Sequence, residues 1–174
     1  WHYGVHSMTW GETYQGALMD SVSIVHLAAP EIDVQGLGQS ILDGDSTPSS
    51  ADDTDFGNAN LVSGNVVHTF RIKNTGDIDL NLTEDPKVEI TGTHAADFTV
   101  TSQPSSPVAA GGGTTTFEVT FDPSAEGLRE ATVSIVNNDS DENPYDFAIQ
   151  GTGTVEPGSV TADFNGDGDT DFSF

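Results

Sequence analysis

The sequence predicts an all-β fold, an antiparallel sandwich of about seven short strands, and three observations carry that reading. Apolar and polar residues alternate in several short runs, the period of a strand with one buried face. Turn residues punctuate those runs every ~8–12 residues, the spacing expected of an Ig-like sandwich. No segment shows a competing helical period.

Taken in order, residues 1–19 are aromatic and dotted with glycine, with Trp1, Tyr3, Trp10 and Tyr14 interleaved by His2 and His6. Ser21–Leu27 (SVSIVHL) alternates well enough for a strand and ends at Ala28-Ala29-Pro30. The stretch from Gln39 to Gly57 is rich in Asp, Ser and Gly and reads as a long loop or linker. In Asn65–Lys73, Val66, His68, Phe70 and Ile72 share one face, and Val67, Thr69, Arg71 and Lys73 the other. Asn74-Thr75-Gly76 makes a turn, and Ile78, Leu80 and Leu82 form the next apolar row. Short runs follow at Lys87–Ile90 and Phe98–Thr101. Gly111-Gly112-Gly113 leads into Thr114–Phe121, with Phe117, Val119 and Phe121 on one side. Ala131, Val133 and Ile135 repeat the pattern, and Tyr145, Phe147 and Ile149 close it. There is also an internal echo: EIDVQGLG at Glu31–Gly38 and DFAIQGTG at Asp146–Gly153. It reads either as modules strung in tandem in a parent protein or as chance similarity of two short strands.

The charge balance narrows the partners. Among 174 residues there are 28 Asp and Glu against 4 Lys and Arg, a net charge of −24. Self-repulsion at that level destabilises a compact state unless salt or bound cations offset it. Nucleic acid and anionic membranes demand basic patches that so few cations cannot build. With no cysteine, disulfides, zinc–thiolate sites and thiol nucleophiles are excluded. No apolar run approaches a membrane span, and no signal peptide opens the chain. A first residue of Trp1 rather than Met reads as a processed form or a fragment.

Residues from about Pro30 to Thr154 resemble the choice-of-anchor D family of bacterial surface proteins. The resemblance rests on PEIDVQGLG, TDFGNANLVSGNVVHTFRIKNTG, HAADFTVTSQP and TTTFEVTFDPSAEGLREATVSIVNNDSDENPYDFAIQGTG, in that order. It implies an Ig-like β-sandwich of secreted or surface-anchored proteins, usually one of several repeats, and no catalytic residues. The expected organisation is an N-terminal aromatic and strand segment over 1–29, a sandwich over 30–154 and an acidic tail over 155–174. In the first of these, GALMDSVSI looks like the closing strand of the jelly-roll modules of secreted bacterial proteins. On that reading it is the tail of a preceding domain or a strand that pairs elsewhere.

The sharpest local motif lies in the tail: Asp163, Asn165, Asp167, Asp169 and Asp171 at alternate positions, with Gly168 sixth. Alternating oxygen ligands with a glycine at the sharp turn are what an EF-hand loop presents to calcium, which takes six to eight oxygens. The segment is similar to a dockerin repeat but departs from it at the twelfth position, where Phe174 replaces a bidentate acid. The alternative is an acidic tail without an ion. Asp43, Asp45, Asp52, Asp53 and Asp55, and separately Asp139, Asp141 and Glu142, are further clusters that either hold cations or form solvated faces.

Other candidates weigh less. His2 and His6 have metal spacing for a helix, but nothing predicts one there. His68 reads as a satisfied core residue, and His26 and His94 lack partners for a triad. No Gly-x-Ser-x-Gly elbow occurs, so the chain is expected not to be an enzyme. Asn81 and Asn138 begin glycosylation sequons, which would place both on the surface. Trp1, Tyr3, Trp10 and Tyr14 offer either a stacking platform for sugar rings or packing residues.

Together these features describe a non-catalytic structural or adhesive module, extracellular or on a bacterial cell surface and stabilised by calcium. Its partners would be neighbouring copies or domains of the same surface protein, joined into a polymer or filament when Ser21–Leu27 docks on a neighbour's sheet edge. A carbohydrate-binding module of a secreted multi-domain protein, with a glycan partner, is the alternative.

Overall fold

The computed structural model describes residues 27–155. Nine strands form: β1 (Ile32–Gly36), β2 (Gln39–Ile41), β3 (Asp55–Asn60), β4 (Val66–Asn74), β5 (Glu89–Thr91), β6 (Phe98–Ser102), β7 (Thr114–Phe121), β8 (Gly127–Ile135) and β9 (Tyr145–Thr154). They pair as a five-stranded sheet, β2-β1-β4-β7-β6, and a four-stranded sheet, β3-β9-β8-β5. The only helical turn among the described residues is a 3-10 turn at Ala95–Asp97. No helix of the described residues is long and apolar enough to cross a membrane.

Alternation does the folding work. Phe70 and Ile72 of β4, Phe117, Val119 and Phe121 of β7, Val133 and Ile135 of β8, and Phe147 and Ile149 of β9 are all buried between the sheets. At ~25 cal/mol per Å² of apolar surface removed from water, these rows are the main stabilising term. The aromatic rings interlock across the layers. Phe70 stacks on Phe117 at 5.2 Å and meets Phe147 of the opposite sheet at 5.7 Å. Phe98 stacks on Phe121 at 4.7 Å.

Three expectations change. The stretch Gln39–Gly57 is not a linker: it contains β2 and the start of β3, so the sandwich has nine strands rather than about seven. Its acidic residues fold the chain back on itself by capping turns. Asp45 accepts the Thr47 N–H at 2.9 Å, Asp52 the Thr54 N–H at 3.2 Å and Asp55 the Gly57 N–H at 2.8 Å. The row Ile78, Leu80, Leu82 does not build a ladder. Leu80 bridges Val108 and Leu82 bridges Asn137, so neither pairing extends.

The echo EIDVQGLG and DFAIQGTG places β1 and β9 in different sheets of one sandwich. Their first glycines do the same job, since a Cβ on Gly36 would meet the Asp52 carbonyl and one on Gly151 the Phe121 ring. The second glycines differ. Gly38 turns the β1–β2 hairpin at φ +81°, a conformation that glycine adopts without a Cβ clash, whereas Gly153 continues β9.

Candidate functional site

The polar residues that the sandwich buries fall into two groups, one holding loops and one carrying unbalanced charge. Asn74, fully buried at the end of β4, accepts the N–H groups of Glu31 and Gly76 at 3.2 and 3.0 Å. Its amide donates to the Ile78 and Val108 carbonyls at 2.8 and 3.0 Å. Asn137 organises the β8–β9 loop in the same way, donating to Ile135 and Glu142 carbonyls at 3.0 and 2.9 Å and accepting the Asp139 N–H at 2.7 Å. Both are satisfied, as buried amides must be.

Asp97, on the 3-10 turn, pairs with Arg129 of β8 at 2.6 Å with side chains 3% and 16% exposed respectively. It also accepts the Ser124 N–H at 3.0 Å. Burial pushes its carboxyl up, but the Ser124 and Arg129 bonds outweigh burial and hold it below the usual range. The sequence reading passed over this pair, although Arg129 is one of only four Lys and Arg residues in the chain.

The second group sits where the β8–β9 loop meets the start of β1. Asp139 is 1% exposed. Its Oδ2 accepts the Ile32 N–H at 3.0 Å, while Oδ1 is buried without a partner. Glu142, half-buried in the same loop, also has a buried unpartnered oxygen, Oε2. Glu31, exposed at the entry to β1, completes the group with Asp141. Burial, then the charges of Glu31, Asp139, Asp43 and Asp141, push the Glu142 carboxyl up to about 7. Burial and Asp141 likewise raise Asp139. Burial, then Asp139 and Asp141, raise Glu31. The neighbouring Tyr145 hydroxyl donates to the Ile41 carbonyl, and burial lifts its pKa well above the usual value.

A raised carboxyl pKa has a definite sign in stability. The folded state holds extra protons between the unfolded value, 4.5 for Glu142, and the folded value near 7. The protonated fold is therefore fully favoured below about pH 4.5, and stability is withdrawn as pH rises through 7. In chelator, Glu142→Gln is expected to raise the melting midpoint at pH 8 and leave it unchanged at pH 4. A variant that melts below the parent at pH 8 would contradict this sign.

Of the acidic clusters expected from sequence, the loop set is dispersed. Asp43 accepts the Asp146 N–H at 2.8 Å, and Asp53 lies 3.9 Å from His68. His68 itself is half-buried, stacks on Phe56 at 4.2 Å and contacts the Asp53 carbonyl at 2.7 Å through Nδ1, as a satisfied residue should. His94 Nδ1 accepts the Glu130 N–H at 2.9 Å. Asn81 and Asn138 are both exposed. Among the described residues, no three acidic or histidine side chains converge on one coordinating point. Asp163, Asn165, Asp167, Asp169 and Asp171 lie outside the described residues, as do Trp1, Tyr3, Trp10, Tyr14, His2, His6, His26 and all of Ser21–Leu27 except Leu27.

Two facing sheets with this strand order define the chain as an Ig-like β-sandwich domain. More narrowly, residues 49–152 match the family model for the HYDIN/CFA65/VesB-like, Ig-like domain, and the chain belongs to that family. The match agrees with the choice-of-anchor D resemblance at the level of the Ig-like domain. Among curated proteins, none matches the chain.

Solved structures similar to it include a Porphyromonas gingivalis W83 protein at 16% identity and TM-score 0.48, covering 73% of this chain. The chain spans about half of that protein, 49% of its length. PapD-like domain 7 of human CEP192 is similar at 11% identity and TM-score 0.48, over 84% of this chain and 99% of that one. The CARDB domain of a Pyrococcus furiosus protein, solved in complex with di-metal ions, is similar at 13% identity and TM-score 0.43. That match covers 76% of this chain and 100% of the CARDB chain.

Proposed function

We propose that the chain is a non-catalytic structural or adhesive module of an extracellular or cell-surface protein. In this reading calcium steadies it, and it joins neighbouring copies or domains of the same surface protein by strand docking. The supporting observation is the open edge of the five-stranded sheet. Among the described residues, β6 (Phe98–Ser102) has β7 on one side and no strand on the other. An edge of unpaired N–H and C=O groups is a template for an added strand, and Ser21–Leu27 has the length and alternation to supply one. At a net charge of −24, copies repel one another unless cations intervene. The carboxylates of Asp163, Asp167, Asp169 and Asp171 would hold the calcium that does so.

Negative-stain microscopy and light scattering of the full chain test this reading. Ordered oligomers are expected in millimolar calcium, dissolving in chelator and absent in Ile24→Asp. A chain that stays monomeric in calcium at high concentration overturns it.

A further inference from the structure

We propose that the acidic end of the sandwich, where Asp139 stands beside Glu31, Asp141 and Glu142, binds a divalent cation of the calcium class. The argument starts from Asp139. A carboxylate with 1% exposure has left water almost entirely; the Ile32 N–H reaches its Oδ2 at 3.0 Å, and its other close neighbour is Asp141, itself an acid. Oδ1 is buried and unpartnered, and so is Oε2 of Glu142 in the same loop. A buried anionic oxygen without a donor is among the most unfavourable arrangements a fold can carry unless a counter-charge accompanies it. The Arg129 ion pair is made with Asp97, away from this loop, and the His68 contact is made with Asp53.

The donor set points to the class of ion. Carboxylate oxygens, with backbone carbonyls and water beside them, suit a hard cation that tolerates irregular coordination, which describes calcium. Zinc would look for imidazole or thiolate, and the chain has no cysteine. The loop is also built for it. Asn137 pins its two ends through the Ile135 and Glu142 carbonyls, which leaves the exposed Asp141 and the half-buried Glu142 side chains to swing. In the present arrangement the carboxylates are not gathered around one point, as mutual repulsion dictates. An ion would draw Asp141 and Glu142 toward Asp139. Since Asp139 is bonded to β1 of one sheet and its loop joins β8 to β9 of the other, the ion would tie the two layers together. The site belongs to the sandwich and does not depend on strand docking.

Thermal melting of the full chain at pH 7.5, in chelator and in millimolar calcium, tests the proposal. Calcium is expected to raise the parent midpoint by about 3 °C or more. The shift should persist in the double variant Asp167→Asn, Asp169→Asn and disappear in Glu142→Gln and in Asp139→Asn. Because Asp139→Asn alters a buried residue, Glu142→Gln decides the matter if that variant fails to fold. A parent that ignores calcium and is stabilised only by acid would assign the cluster to a proton and overturn the proposal. So would a shift kept by Glu142→Gln, or one lost in the double variant. The readout is the melting of the fold itself, so it is separate from light scattering, and failure of assembly would not imitate failure of this site.

Discussion

Phe70→Ala is expected to destabilise the fold by about 3–5 kcal/mol, measured by urea unfolding. Phe70 is fully buried in β4, the middle strand of the five-stranded sheet. Its ring touches Phe117 of its own sheet and Phe147 of the opposite one, with Phe56 at 6.4 Å. Truncation removes ring contacts on several sides and leaves a cavity that the surrounding strands, fixed by their ladders, cannot collapse into. On the same strand Val67 is 51% exposed on the outer face, and Val67→Ala should stay within about 0.5 kcal/mol. Equal effects at the two positions would mean that the layers do not meet where β4 places them.

Arg129→Ala is expected to have an effect of similar size, about 3–5 kcal/mol at pH 7, because it strands the buried Asp97 carboxylate. Acid should distinguish this from simple loss of packing. In the parent, Asp97 is held below its ordinary 3.8, so its contribution is present above that value and is lost as pH falls through the lowered one. In the variant the desolvated carboxylate has only the Ser124 bond, and protonation relieves it. The gap between parent and variant should therefore narrow as pH drops toward 4. A gap that holds constant with pH would assign the loss to the arginine's packing instead.

How much of this could be read from the sequence follows from period and distance. β4, β7, β8 and β9 announce themselves because an inward row such as Phe117, Val119, Phe121 keeps an unbroken period of two residues. The structure begins β8 at Gly127 and carries β9 on to Thr154, beyond the apolar rows that marked them. β3 escaped notice for a physical reason. Its register shifts between Asp55 and Asn58, so its buried residues are Phe56 and Ala59 and the alternation breaks. β2 was missed because only Ile41 of its three residues points inward.

The candidate site was half visible. Asp139, Asp141 and Glu142 stand out in the run NDSDEN, but nothing local tells that Asp139 bonds to Ile32, 107 residues away. Nor does sequence order show that Glu31 stands with them. The Asp97–Arg129 pair spans 32 residues and two different elements, and no local pattern links them.

The parallel pairing of β3 with β9 has a consequence for how the chain comes into being. β3 joins Asp55 to Gln150 and Asn60 to Thr154, so a strand made early waits for the last one before its ladder can form. β9 also supplies the partner for all of β8 and the ring of Phe147 that meets Phe70. A nascent chain emerging from the ribosome at ~5–20 residues per second therefore has no closed core until Thr154 is out. The earlier strands can form the five-stranded sheet and the β5–β8 ladder, but β3 has no partner and the opposite layer lacks β9 to complete its cover. Closure of this domain thus comes only after β9 has emerged, and its rate is set by a late, long-range pairing.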